Sequence, residues 1–299
     1  MTRVGIKRAV GAAYNDVLRH HAFQVSAALS YYFVLAVFPG LILLSSALRT
    51  FPLPDPVNHI LTLVARVLPP QATHLVRSVF AGAVASQRHT WISVGTLGLL
   101  WVTSAAFDSL IEALDIAYDV NDPRPMWKTR LIALGLGVVT AVLVTCALTV
   151  MILGPKFGTW IADRIPLPLA LVMLWPLVHW LIAIVFTVIS VEILYFLAPN
   201  VKQRFVATLP GAVLAVGFWL GLSFLLGTYF RHFSNYDRVY GALGGAIVFM
   251  TWLYWTSFAL LVGAELNAEL AKQGRRGAIL ARTPTQPLPP KTDQLDEAA

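Results

Sequence analysis

Charge is scarce in this sequence. Asp, Glu, Lys and Arg fill 12% of its 299 positions, against about 25% in soluble chains. A soluble fold of this length needs a charged surface, so the scarcity excludes one. There is one cysteine, Cys146. That excludes an intrachain disulfide and any metal cage built from paired cysteines. Cys146 lies in an apolar run and reads as packing. Also missing are the phosphate loops G-x-G-x-x-G and G-x-x-x-x-G-K-[ST], the zinc motif H-E-x-x-H and the nucleophile elbow G-x-S-x-G. The seven histidines are scattered. Nothing in these patterns points to an enzyme, and no cofactor or metal is expected.

Apolar residues are what the chain has, at 57%. Six runs reach the roughly 20 residues that span a bilayer: 25–48, 90–112, 131–153, 169–197, 206–230 and 239–264. The runs are continuous rather than alternating, and a lipid core demands internally satisfied backbone, so they are expected to be helices. The expected fold is all-α: a polytopic membrane protein with a bundle of six transmembrane helices. It forms one domain over 1–272, followed by a Pro-rich, polar, disordered tail over 273–299. In the first outer loop, "VNHILTLVARVL" and "ATHLVRSVFAGAV" carry apolar residues at helical spacing. They predict two short amphipathic helices, lying on the membrane or capping the bundle. Residues 3–20 predict a similar interfacial helix.

An even number of spans puts both termini on one side. That side, with the second and fourth loops, carries more Lys and Arg than the other, which predicts that it is cytoplasmic. The net charge of +7 is then read as topology rather than nucleic-acid binding. The lipid bilayer is the expected partner, and the oligomeric state stays open.

Two helix breakers, Pro39 and Gly40, sit near the centre of the first run. Pro39 cannot donate to the carbonyl of Leu35. Either the helix kinks there, or it is discontinuous and its freed carbonyls line a cavity. Pro176 and Pro210 also fall within spans. The acids Asp108, Glu112, Asp115 and Asp119 recur at helical spacing on one face. Glu192 lies in the fourth span, roughly 10 Å from its end. Glu265 and Glu269 close the sixth. Ionisable groups inside a membrane face a partner or a cavity. Asp108, Glu112, Glu192 and Glu265 are therefore the transport candidates; the structural alternative is that such acids reach the interface or pair with loop cations. All fall in the cytoplasmic half. Arg124, Lys128, Arg130, Lys202 and Arg204 would stand at the mouth of such a vestibule and suit an anionic ligand, such as a lipid headgroup. His179, deep in the fourth span, reads as a packed, hydrogen-bonded residue. The GxxxG spacings Gly217/Gly221 and Gly241/Gly245 predict close helix packing inside the bundle, with dimerisation as the alternative.

The stretches "AALSYYFVLAVFPGLILL", "LWVTSAAFDSLIEALDIAY", "LAPNVKQRFVATLPGA" and "VYGALGGAIVFMTWLYWTSFALLVGAELNAEL" resemble the YihY/BrkB family of bacterial inner-membrane proteins. The resemblance covers residues 1–272. It is most specific where Tyr240-Gly241, Gly244-Gly245, Trp252-Leu253-Tyr254 and Gly263-Ala264-Glu265-Leu266-Asn267 stand together. Asp115 departs from the Asn that the resemblance leads one to expect. The resemblance implies six spans, cytoplasmic termini and the plasma membrane. It implies no settled activity: members carry a ribonuclease BN label regarded as mistaken, an association with serum resistance, or a suggested role in moving lipids. The expected function is transport of a lipid or other anionic amphiphile. The rival is a scaffold for envelope assembly, with ribonuclease activity a remote third.

Overall fold

Long runs without charge can satisfy their backbone only within themselves, and they do so as helices. The computed structural model describes residues 3–50, 73–74, 76–78, 90–120, 124–164, 169–232 and 242–282. These form seven helices, with no strand among the described residues: α1 (Arg3–Arg19), α2 (Ala22–Thr50), α3 (Thr90–Ala117), α4 (Met126–Arg164), α5 (Leu169–Leu197), α6 (Phe205–His232) and α7 (Ala242–Arg282). Among the described residues, four stretches are long and apolar enough to cross a membrane: Met126–Met151, Leu174–Leu197, Phe205–Phe230 and Gly244–Gln273. Their outer faces hold large apolar side chains such as Val138, Leu177, Leu181, Val213 and Phe224. In a chain with this much exposed hydrocarbon the surrounding medium is lipid.

The backbone of α2 stays helical through Pro39 and Gly40. Of the two alternatives for Pro39 and Gly40, a kink or a discontinuous helix, the continuous helical backbone goes with the first, while the surroundings of the two residues lie outside what is described. At the other end of the chain α7 continues to Arg282, so the boundary expected at 272 falls within a helix. The tail beyond 282 lies outside the described residues, as do the expected loop helices apart from residues 73–74 and 76–78. Val76 is buried against Phe230, Val248, Phe249 and Leu253. That part of the loop packs on the bundle.

Consecutive helices pack side by side, and α7 returns to α2, so α2 to α7 close a ring. Helix α7 also touches α3, and α1 lies along α7. The largest apolar cluster joins Val17 of α1, Leu29 of α2, Leu110 and Leu114 of α3, Leu136 of α4, Leu194 and Tyr195 of α5, Ala212 of α6 and Ala264 of α7. It fills the end of the bundle where α1 lies, hereafter the α1 end.

Glycines set two close crossings. A Cβ on Gly211 of α6 would collide with the Gly263 carbonyl of α7 and the Asn267 side chain, and one on Gly263 with the Gly211 carbonyl. The two backbones touch there. Between α4 and α5, Gly154 faces His179 and Gly158 faces Trp175, a GxxxG seam that accepts two large rings. The pair singled out from spacing behaves differently. A Cβ on Gly217 or Gly221 would meet nothing within 4 Å, so this glycine pair faces outward rather than into the bundle. Gly241, of the other pair, lies outside the described residues.

Candidate functional site

The acids do not gather as their spacing suggested. Glu112 is exposed and Asp108 half-buried, and among the described residues no hydrogen bond or ion pair joins either to Glu192 or Glu265. The four-residue spacing carries them around the outer side of α3. Glu192 and Glu265 are enclosed instead, each 1% exposed.

Glu192 projects from α5 toward the first turn of α6. Its Oε1 accepts from the Thr208 hydroxyl at 2.6 Å. Thr208 also lies 2.8 Å from the Phe205 carbonyl, so one hydroxyl proton serves two acceptors. Asn267 of α7 clamps the same turn: its Oδ1 accepts from the Gly211 N–H at 2.8 Å, and its Nδ2 donates to the Thr208 carbonyl at 2.7 Å. Pro210, lacking an N–H, sits inside this turn and leaves the helix one internal bond short. The Tyr195 hydroxyl donates to the Leu260 carbonyl, tying α5 to α7.

Glu265 lies toward α1. Its Oε1 is 2.7 Å from His20 Nδ1, and the other ring nitrogen of His20 is 3.2 Å from Asp119. Around this pair the surface holds a charge network: Lys272 reaches Asp119 at 2.8 Å, Glu269 at 3.0 Å and Asp16 at 3.2 Å, and Arg19 reaches Asp16 at 3.2 Å. Burial alone would raise Asp119, but the hydrogen bond and charge of Lys272, with His20 and Arg19, hold its carboxyl below the usual range. His21 and Asp119 end α1 and α3 in the left-handed conformation, each with φ of 51°, a position where helices commonly place glycine.

Between the acids stands Tyr118, buried and within electrostatic reach of both Glu192 and Glu265. Burial pushes its phenol above the ordinary range. Tyr118 Oη, Glu192 Oε2 and Glu265 Oε2 are the buried side-chain atoms without a hydrogen-bond partner among the described residues.

The cations divide. Arg124 is not free for an anion. Its guanidinium donates to Asn200 at 3.1 Å and to the carbonyls of Leu197, Ala198 and Pro199 at 3.3, 3.0 and 3.2 Å. It caps the C-terminus of α5, where carbonyls lack helical donors and positive charge is favoured. Beneath it, Asp115 accepts from the Asn200 N–H at 2.9 Å. Lys128, Arg130, Lys202 and Arg204 are exposed at the same end of the bundle. Lys128 lies over the Trp127 ring and Arg130 over Trp101, at 5.4 and 4.7 Å.

His20, Tyr118 and Asn267 escaped sequence reasoning. His20 and Tyr118 stand at helix ends where polar residues are ordinary, and Asn267 entered only as part of the family-like run Gly263–Asn267, with no role assigned. Only their helices' packing turns them inward. Among the described residues no group of three His, Cys, Asp or Glu is placed to hold a metal ion.

Comparison with known proteins places this geometry in a family. The family model described as "Virulence factor BrkB" matches residues 13–286. The Bacillus subtilis (strain 168) "ribonuclease-like protein YfkH" is 29% identical over 254 residues, covering 85% of this chain and 92% of that protein. A "UPF0761 membrane protein" of Aromatoleum aromaticum is 26% identical over 273 residues, 87% of this chain and 63% of that protein. One from Pseudomonas aeruginosa (strain LESB58) is 26% identical over 258 residues, 82% of this chain and 58% of its own length. The chain thus spans less than two thirds of these two membrane relatives. No solved structure matches. The match over most of the chain shows that it belongs to the BrkB family and is a multi-pass membrane protein.

Proposed function

We propose that this member of the BrkB family is a bacterial inner-membrane transport protein that moves a lipid or other anionic amphiphile. One observation carries the reading. Glu192 is a carboxyl fully enclosed within a helix that crosses lipid, with one oxygen unpartnered. Such groups are costly in a membrane and mark translocation paths or proton sites. Glu265 supports it as a second enclosed acid at the same end. In this reading α2 and α3 are two further spans, and the α1 end is cytoplasmic. The exposed Lys128, Arg130, Lys202 and Arg204 meet an anionic headgroup first, and the buried acids couple its movement to another charge.

One observation favours the scaffold reading. The α6–α7 seam beside Glu192 is closed by backbone contact at Gly211 and Gly263 and by the Asn267 clamp. A transporter must open that seam or pass cargo beside it.

Native mass spectrometry in mild detergent separates the two. The protein is offered an equimolar mixture of anionic and zwitterionic phospholipids. Selective retention of the anionic species, lost when Lys128, Arg130, Lys202 and Arg204 are all changed to Gln, is the expected result. Retention without headgroup preference would sink the amphiphile reading and leave the scaffold.

A further inference from the structure

At Thr208 there are more acceptors than protons. Its hydroxyl lies 2.6 Å from Glu192 Oε1 and 2.8 Å from the Phe205 carbonyl, and a hydroxyl has one proton to give. A threonine within a helix commonly gives it to the carbonyl three or four residues back. Phe205 supplies that carbonyl. The 2.6 Å contact then joins two oxygens, and it is a hydrogen bond only if a second proton comes from Glu192.

The surroundings of Glu192 ask for the same state. It is 1% exposed, in a stretch of membrane length. The titratable groups within its electrostatic reach are two phenols, Tyr118 after α3 and Tyr195 of α5. Among the described residues, α4, α6 and α7 bring no charged side chain into an ion pair with it. A carboxylate there would leave charge on Oε2 with no donor, at a large cost. In a carboxylic acid Oε2 is a neutral carbonyl oxygen, which is cheaper to leave bare.

We infer that Glu192 is held as a neutral carboxylic acid whose O–H donates to Thr208, and that release of this proton loosens the first turns of α6. The inference deepens the transport reading and rests on it for what the proton drives. The protonation state itself does not depend on the cargo.

Ionisation breaks the O–H bond at Oε1, leaves its electron pair on the carboxylate and gives the proton to water, with no redox change. Thr208 then turns its only proton to the carboxylate. Its oxygen is left 2.8 Å from the Phe205 carbonyl with no proton between, and two bare oxygens at that distance repel. The turn around them is already short of one bond at Pro210. From the far side Asn267 of α7 holds the Thr208 carbonyl and the Gly211 N–H. Relief of the repulsion moves Thr208 against that clamp, three residues from the Gly211–Gly263 contact. The closed α6–α7 seam therefore goes with the protonated acid, and a loosened seam with the carboxylate.

The test is infrared spectroscopy on the full chain in phospholipid nanodiscs at neutral pH. Subtracting the Glu192→Gln spectrum from that of the unchanged protein should leave one protonated-carboxyl band. Carboxylate bands in its place overturn the neutral acid. Thr208→Val keeps the shape and removes the hydroxyl, so it should move the band to higher frequency; a band that stays put overturns the contact. That variant leaves Glu192 in place and decides the matter alone if Glu192→Gln fails to fold. Amide exchange across 205–212, corrected for the intrinsic effect of pH, reads the loosening. It should accelerate by roughly tenfold as rising pH removes the band. In Glu192→Gln it should stay slow, because the carboxamide N–H donates to Thr208 at every pH. Equal acceleration in Glu192→Gln overturns the coupling, and so does a band that persists until the protein unfolds. The anionic-lipid measurement on the same samples is independent: a protonated band without selective lipid retention removes the transport reading alone, and selective retention without the band removes the neutral acid alone.

Discussion

His179 and Glu192 are both buried polar residues on α5, and their surroundings differ. His179 is satisfied within its own helix: Nδ1 donates to the Trp175 carbonyl at 3.0 Å. Trp175 in turn donates to the Gly154 carbonyl of α4, so the pair fits a glycine seam and asks nothing of distant helices. Glu192 has no partner on α5. It reaches Thr208 on α6, keeps one oxygen unpaired, and stands near a tyrosine that follows α3. One end of α5 is closed packing and the other is a junction between helices. Burial is therefore a poor guide to role here; whether the hydrogen bonds stay inside one helix decides it.

The difference can be broken by substitution. The largest effect is expected from Gly263→Ala. Its Cβ would meet backbone and the Tyr195 hydroxyl, neither of which can swing away. A loss of about 3 kcal/mol is expected, read as a drop in melting temperature in detergent. Asn267→Ala should follow at about 2 kcal/mol, because it strips partners from the buried Gly211 N–H and Thr208 carbonyl; the same thermal assay reads it. At the other end of α5, the atoms nearest a Cβ on Gly158 belong to the half-buried Trp175 side chain rather than to backbone. About 1 kcal/mol is expected there. A Gly158→Ala loss equal to that of Gly263→Ala would erase the distinction between the two ends.

The smallest effect sharpens the comparison at the surface. Asp119 has a folded carboxyl held below its ordinary value of 3.8, so its contribution to stability is present above that pH and fades as pH falls through the lowered value. Asp119→Asn should lower the melting temperature at neutral pH and converge with the unchanged protein in acid below pH 3.8. A gap that stays constant across that range would remove the ion pairs with Lys272, His20 and Arg19 as its cause.

Much of this was legible beforehand, and the remainder was hidden for physical reasons. Helices α2 to α7 follow the apolar runs, and the four with stretches of membrane length, α4 to α7, do so because a lipid-facing segment has no other way to satisfy its backbone. Glu192 stood out as a lone charge in such a run. Glu265 was visible by position, but its partner His20 belongs to a helix 245 residues away, and no local pattern encodes that meeting. Spacing misled where it gave a face without saying which way the face turns. It grouped Asp108 and Glu112 with the buried acids, and it favoured Gly217 and Gly221 over the Gly211–Gly263 crossing. A crossing made by one glycine from each helix leaves no repeat to find. Arg124 looked like a loop cation for the same reason: its acceptors are backbone carbonyls, and those have no signature in a sequence.

The ring of helices closes between its first and last members, and this bears on how the protein is made. Asp16 and His20 emerge from the ribosome long before Lys272 and Glu265, their partners on α7. Until α7 enters the membrane, α2 has an open flank, Thr208 lacks the Asn267 clamp on its carbonyl, and α1 has nothing to lie along. The ring can therefore close only once α7 is inserted. A chain interrupted before α7 would leave bare flanks on α2 and α6, the two helices that α7 joins in the ring.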